Sequence, residues 1–181
     1  MMHLKSSSVS TMKMRKIFFA FSLISFIFLL QSCGIYSFKD VSIDYSKLKT
    51  VKINFFENKA RIINPQLSPK LTDKLQLKIA SQTKLTRTNN DDANIQISGY
   101  ISDYSVTTSG ISSTQATTNR LTVAVHVTSK NTVTDKTDDF DVSRNYDFSA
   151  NLSLQQAEAQ LVDEIVRTLT DDIFNHIFSN W

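Results

Sequence analysis

Leu121-Thr122-Val123-Ala124-Val125-His126-Val127-Thr128 alternates aliphatic residues with small or polar ones, without a break. A period of two is the period of a strand whose side chains point to opposite faces. Leu121, Val123, Val125 and Val127 therefore share a core face, and Thr122, Ala124, His126 and Thr128 share a polar one. Downstream, residues 129–139 read as a polar hairpin. Phe140, Val142, Tyr146 and Phe148 then line one face of another strand, opposed by Asp141, Ser143, Asn145 and Asp147. Beyond it Ser153 and Gln156 make a capping box, in which each side chain satisfies the other's free backbone N–H. Ala157, Leu161, Ile165, Leu169, Ile173 and Ile177 follow at every fourth position, the stripe of an amphipathic helix. Leu154, Val162, Val166, Phe174, Phe178 and Trp181 broaden its face.

Upstream, residues 105–119 are mostly Ser and Thr around Gly110 and read as a long mobile hairpin loop. Before them Ile95, Ile97, Gly99 and Ile101 lie on one face of a strand. The apolar parity then moves to Tyr104 and Val106, which places a bulge near Ser102 or Asp103. Asn89-Asn90-Asp91-Asp92 is a loop. Ser68, followed by Pro69, is positioned to cap a helix that runs to about Thr83. Leu71, Leu75 and Ile79 form its stripe, widened by Leu77 and Ala80. Val51, Ile53 and Phe55 alternate with Lys52 and Asn54 as a first strand. The order β-α-β-β-β-α predicts an α+β fold: a two-layer sandwich of a mainly antiparallel four-stranded sheet with two helices on one face. The other face is left polar.

The N-terminus reads as an export signal. Lys13, Arg15 and Lys16 precede an apolar run from Ile17 to Leu30, broken only by Ser22 and Ser25, and no acidic residue occurs before Cys33. A spanning helix needs about 20 apolar residues, so the run suits a signal peptide better. Leu30-Gln31-Ser32-Cys33-Gly34 matches a lipobox, with the small Ser32 before the cut and a thiol at the membrane surface for acylation. The alternative is a cleaved signal with an incidental cysteine, but Cys33 is the only cysteine of the chain. Met1, Met12 and Met14 each give a workable start. The expected organisation is a signal at 1–32, a lipidated tether at 33–48 and one domain at 49–181. Ile35, Tyr36 and Phe38 give the tether groups to pack.

Processing changes the charge. The chain is +3, but Lys5, Lys13, Arg15 and Lys16 leave with the signal, so 16 of the 20 basic residues face 17 acidic ones, a net of −1. That removes the basic footprint a nucleic-acid binder needs. Acylation leaves no thiol for a disulfide, so stability must come from the core of a 149-residue chain, enough for one domain. Catalytic patterns are missing: no zinc-spaced ligands, no glycine-rich phosphate loop among three glycines, no nucleophile elbow. His126 reads as a solvent-facing strand residue and His176 as a flank of the helical stripe. Asp138, Asp139 and Asp141 read as solvated loop acids, since they lack the glycine and glutamate of an EF-hand. No enzyme and no cofactor are implied.

Several strings carry a family resemblance. They are Cys33-Gly34-Ile35-Tyr36-Ser37-Phe38, Phe55-Phe56 with Asn58 and Ala60, and Ile63-Asn64-Pro65 leading to Leu67-Ser68. Gln82-Thr83-Lys84-Leu85, Gly99-Tyr100 with Tyr104, and Asn119-Arg120-Leu121-Thr122-Val123 follow. Ile165-Val166, Asp172-Ile173-Phe174-Asn175 and the final Asn180-Trp181 complete the series. In order and spacing the mature chain resembles the LPS-assembly lipoprotein family LptE, whose fold agrees with the element order above.

The resemblance implies a seat inside the outer-membrane β-barrel LptD, help with its assembly, plugging of its lumen, and lipopolysaccharide binding during delivery to the outer leaflet. Lys52, Arg120, Lys130 and Arg144 match the family's lipopolysaccharide contacts by residue type only, and each also reads as an ordinary surface residue. On the barrel reading, Thr107, Ile111 and Thr117 in the 105–119 segment are the expected partner contacts. Gly34 is not the aspartate that retains lipoproteins in the inner membrane, and residues 35–38 lack an acidic run. The expected location is therefore the outer membrane, facing the periplasm or the barrel lumen. The alternative function is a generic periplasm-facing lipoprotein, either a pilot protein or an envelope-binding module.

Overall fold

The computed structural model describes residues 43–112 and 115–179, with the side chains of 111–116 excluded. The signal at 1–32, with Ser32 and Cys33, and most of the tether lie outside the described residues, as does Trp181. The sheet is built on three long strands, β4 (Ile95–Ser112), β5 (Gln115–Asn131) and β6 (Lys136–Ser149), joined as an antiparallel meander. Before them in the chain come β1 (Thr50–Ile53), β2 (Glu57–Asn58), helix α1 (Leu67–Gln82) and β3 (Thr86–Arg87); after them comes helix α2 (Leu154–Ser179). The strand order is β3-β1-β4-β5-β6, with β2 also on β4.

This corrects the expected four-stranded, mainly antiparallel sheet: it has six strands and is mixed. β1 pairs with both β4 and β3 in parallel, and β2 pairs with β4 in parallel. The reason is the connection. The chain returns from β1 through α1, a crossover that brings the following strands back in the direction of β1, whereas tight hairpins join β4, β5 and β6. β2 and β3 are two residues each, too short to leave a periodic trace in sequence.

Both helices cover one face. Lys70 reaches Asp163 at 3.0 Å and Lys78 reaches Asp171 at 2.7 Å. Equal offsets in the same sense mean that α1 and α2 run parallel. Leu71, Leu75 and Ile79 of α1 and Ile165, Leu169 and Ile173 of α2 are buried against Val51, Ile53, Ile95, Ile97 and Ile101 and against Leu121, Val123, Val125 and Val127. The α2 capping box is present, with Ser153 N–H donating to Gln156 Oε1 at 2.9 Å and Gln156 N–H to Ser153 Oγ at 3.3 Å. The bulge falls at Ser102, where the register jumps from Ile101 to Asp103 and brings Tyr104 into the core.

Several local expectations are overturned. Phe55 is not on the core face: it is 56% exposed, and Phe56 is fully buried. β1 ends at Ile53, the chain slips by one residue, and Phe56 N–H donates to Thr72 Oγ1 at 3.1 Å. Gly99 makes this possible, because a Cβ there would lie 2.5 Å from Phe56 Cε1 and 2.4 Å from the His126 carbonyl oxygen. Ser68 does not cap α1. The Asn64-Pro65 turn starts the helix earlier, with Asn64 Oδ1 accepting Gln66 N–H at 2.9 Å and the Asn64 carbonyl accepting Leu67 N–H. Pro69 still lies in the first turn, where no N–H is missed. Leu77, 66% exposed, and Ala80 do not widen the stripe, since two residues from Leu75 carry Leu77 to the opposite side of the helix.

The largest correction concerns 105–119, which is not a loop. β4 continues to Ser112 and β5 begins at Gln115, with Ser105↔Thr122, Thr107↔Arg120 and Thr108↔Asn119 in register. Threonine is β-branched and favours extended backbone. Among its described side chains Val106 packs partly against the core, while Ser105, Thr107 and Thr108 around it are polar. The 129–139 hairpin is also shorter than expected: β5 runs to Asn131 and β6 starts at Lys136, with Asp135 at φ 51° closing the turn.

Candidate interaction surface: the polar sheet face and its ribbon

The face away from the helices is set by the phase of the strands. Tyr100, His126 and Asp141 are cross-strand neighbours, as are Ser98, Thr128 and Asp139, and Ser105, Thr122 and Asn145. These positions are out of phase with the buried ones, so they emerge on the polar side. They are linked across the sheet. Lys59 Nζ lies 4.5 Å from the centre of the Tyr100 ring, which is 5.1 Å from the His126 ring. His126 Nδ1 is 2.9 Å from Asp141 Oδ1. Thr128 Oγ1 donates to Asp139, and Thr122 Oγ1 to Asn145 Oδ1 at 2.8 Å. His126 is therefore a half-buried member of a ladder rather than a side chain pointing into solvent. Phase alone identifies the face, but the Lys59–Tyr100–His126–Asp141 row has no local pattern, since its members come from four segments.

The basic side chains of this face are paired with acids, while Asp103, Asp139 and Asp141 meet hydroxyls or the His126 ring. Arg120 grips Asp147 with two hydrogen bonds, of 2.7 and 3.0 Å, and these bonds hold the Asp147 carboxyl below the usual range. Lys52 binds Asp91, whose carboxyl is lowered by that hydrogen bond, and Lys130 lies 3.5 Å from Asp135. Arg144 points to the helical side and grips Asp172 at 2.6 and 2.7 Å. All four basic residues singled out by type are thus paired with aspartates. Among the described residues no three His, Cys, Asp or Glu are grouped to hold a metal. Asp138, Asp139 and Asp141 are exposed to solvent as expected but lie in β6 rather than in a loop, and Asp138 and Asp141 each meet a histidine, Asp138 reaching His176 Nε2 at 3.1 Å. His176 also stacks on Phe140, with ring centres 3.7 Å apart.

Beyond Tyr104 the β4–β5 pair continues with β6 alongside as far as Thr118↔Ser149, and only past Gly110 does it become a two-stranded ribbon. Thr107 and Thr117 are exposed on it, and Ile111 lies in β4 near its tip, its side chain outside the described residues. No charged residue occurs between Asp103 and Arg120. Register shifts flank Gly110, where a Cβ would lie 3.0 Å from Thr117 Oγ1. A broad hydrogen-bonding face with paired cations and an uncharged extension is suited to docking on a polar surface.

Known proteins give the surface its context. Solved structures with similar folds include a protein of Xanthomonas campestris at 10% identity and TM-score 0.49, covering 71% of this chain and 84% of that one. The rare lipoprotein B of Shewanella oneidensis matches at 14% identity and TM-score 0.40, covering 70% and 92%. A minor lipoprotein of Acinetobacter baumannii matches at 15% and 0.40, covering 72% and 95%. Comparison with curated protein sequences gives no match. The decisive finding is a family model described as "LptE: Lipopolysaccharide-assembly", which matches residues 48–177. That span runs from Leu48 through both helices, the polar face and the ribbon, so the chain belongs to the LptE lipopolysaccharide-assembly family.

Proposed function

We propose that this chain is an outer-membrane lipoprotein, anchored through Cys33, that seats in the lumen of the LptD barrel, assists its assembly, plugs it and takes part in delivering lipopolysaccharide to the outer leaflet. The observation that carries this beyond family membership is the polar face, with its cations paired to aspartates, continuous with an uncharged ribbon. The interior of an outer-membrane barrel is itself polar and wet, so a face of hydroxyls, amides and paired charges can pack there without stranding an ion. The ribbon extends the contact past the helical layer, and Thr107, Ile111 and Thr117 are its proposed contacts.

The anchor follows from the same reading. Each buried methylene contributes about 0.8 kcal/mol, so several acyl chains on Cys33 hold a protein that one chain would hold only marginally. Two measurements test the proposal. Cys33→Ala should abolish labelling by a radioactive fatty acid, and label persisting on the variant rules out the anchor. Outer membranes solubilised in mild detergent should yield LptD with this protein in near-equal amounts. Recovery of the lipoprotein without the barrel rules out the seat.

A further inference from the structure

The two long edges of the sheet differ. β6 forms one margin and carries Lys136, Asp138, Asp139, Asp141, Arg144 and Asp147 along Lys136–Ser149. Charges at that density keep a further strand from pairing. The side of β4 that faces away from β5 is instead filled in pieces by extended backbone. β1 pairs with Ile95–Ile97, Asn54 N–H donates to the Ile97 carbonyl at 2.9 Å, and β2 pairs with Tyr100 and Ile101. Lys59 N–H donates to the Ile101 carbonyl at 3.0 Å and is the last of this series. Above it, the same side of β4 has no strand partner among the described residues. Its other side remains paired with β5 in unbroken register from Asp103↔Ala124 to Thr108↔Asn119.

We infer that the free side of β4 at Tyr104–Thr108 is a strand-addition site, occupied by an extended, uncharged polypeptide segment of the barrel partner. The inference rests on the proposed seat in the lumen and specifies how contact is made there. Tyr104, Ser105, Val106, Thr107 and Thr108 include no charge and no proline, so none of the devices that blunt an edge is present until the bulges around Gly110. Donor and acceptor recur at every second residue along an open edge, and that spacing matches another extended backbone. The registers immediately below are already filled by short strands. An uncharged edge calls for an uncharged segment, because a carboxylate or ammonium drawn against it would lose water without gaining a counter-ion. On the proposed seat the barrel surrounds this edge and is the source of backbone. A finished barrel has no free edge of its own, so the segment is a loop of the barrel, or a barrel strand not yet closed.

Hydrogen–deuterium exchange resolved to single amides tests this on the full-length lipoprotein in detergent, alone and reconstituted with its cognate LptD barrel. Alternate amides within Tyr104–Thr108 should exchange about tenfold more slowly, or slower still, in the complex than in the lipoprotein alone. Unchanged exchange in a complex that has formed overturns strand addition and leaves the seat standing; failure to form a complex overturns the seat. Protection in the lipoprotein alone overturns the inference by another occupant: a second copy if it rises with protein concentration, the chain's own N-terminal segment if it does not. Protection on adding lipopolysaccharide without the barrel overturns it in favour of a saccharide or lipid. Thr107→Val should keep both complex and protection, since backbone carries the contact. A loss equal to that of Thr107→Asp would assign the contact to the hydroxyl and overturn the inference.

Discussion

Tyr104 is the side chain where the core meets the polar groups around it. It is 1% exposed, its hydroxyl donates to Glu158 Oε1 at 2.8 Å, and Asn64 Nδ2 donates to that hydroxyl at 3.3 Å. The three groups tie β4 to α2 and to the turn that opens α1. Burial pushes the phenol well above its ordinary range, and the Glu158 carboxylate adds to the shift. Tyr146, bonded to Thr168 Oγ1 at 2.5 Å, is raised for the same principal reason. A phenol whose pKa is raised by folding contributes stability that is complete below its unfolded value, about 10, and lost as pH rises beyond it. Urea denaturation of the soluble domain should therefore show stability falling above about pH 10. Tyr104→Phe should cost about 1–2 kcal/mol at neutral pH, because it leaves Asn64 and Glu158 without their shared partner. The variant's decline above pH 10 should be shallower than wild type, and an equal decline would remove Tyr104 as a cause. Gly99 is the other position where one atom decides. Alanine there drives a methyl into the Phe56 ring and the His126 carbonyl, so Gly99→Ala should cost about 1–3 kcal/mol in the same assay.

Among the elements, α2 was the most legible and should be the most sensitive. Ile165 and Leu169 are buried mid-stripe, and truncating either to alanine should cost about 2–5 kcal/mol. Ser153→Ala, which removes the cap, should cost about 1 kcal/mol, whereas Leu77→Ala on the exposed side of α1 should stay within about 0.5 kcal/mol of wild type. Thermal melting separates the three. What made α2 legible is that period, cap and burial all depend on neighbours within four residues. The alternation of β5 and the parity change at Ser102 were legible for the same reason. Where local signals conflicted with tertiary ones, the reading failed. Phe55 and Phe56 are equally apolar, and a one-residue slip after Ile53 exchanges their faces. Ser68 had the chemistry of a cap, but Asn64 reached the free N–H groups first. Polar composition in 105–119 suggests a loop because, among its described side chains, Val106 alone packs against the core. In the candidate surface, phase placed the polar face correctly, but its pairings stayed hidden. Arg120 and Asp147 lie 27 residues apart, and only the β5–β6 register brings them together.

At the scale of the whole molecule, the core and the proposed interaction surface occupy opposite sides of one sheet. The helical layer buries the apolar face, and the far face carries hydroxyls and paired charges, so substitutions on the two sides should separate in their effects. Thr107 and Thr117 are exposed, so a carboxylate at either stays hydrated in the free domain, with Arg120 as the cross-strand neighbour of position 107. Thr107→Asp and Thr117→Asp should therefore leave the melting temperature of the isolated soluble domain almost unchanged. Against a barrel wall the same carboxylate must lose its water, with at best an Arg120 already held by Asp147 as counter-ion, and recovery of LptD with the lipoprotein should fall by about tenfold or more. The pairing of cations across the face makes a further demand. Lys52, Arg120 and Lys130 already have aspartates, so long-range attraction to the partner contributes little, and co-purification should survive washing at about 0.5 M salt, where exposed charges are screened within a few ångströms. A complex that dissociates in salt would mean that unpaired charges on the barrel, rather than the polar face and ribbon, hold the two proteins together. Aspartate variants that bind normally would move the interface off the ribbon. Variants that melt early would show the ribbon to be part of the core's cooperative unit.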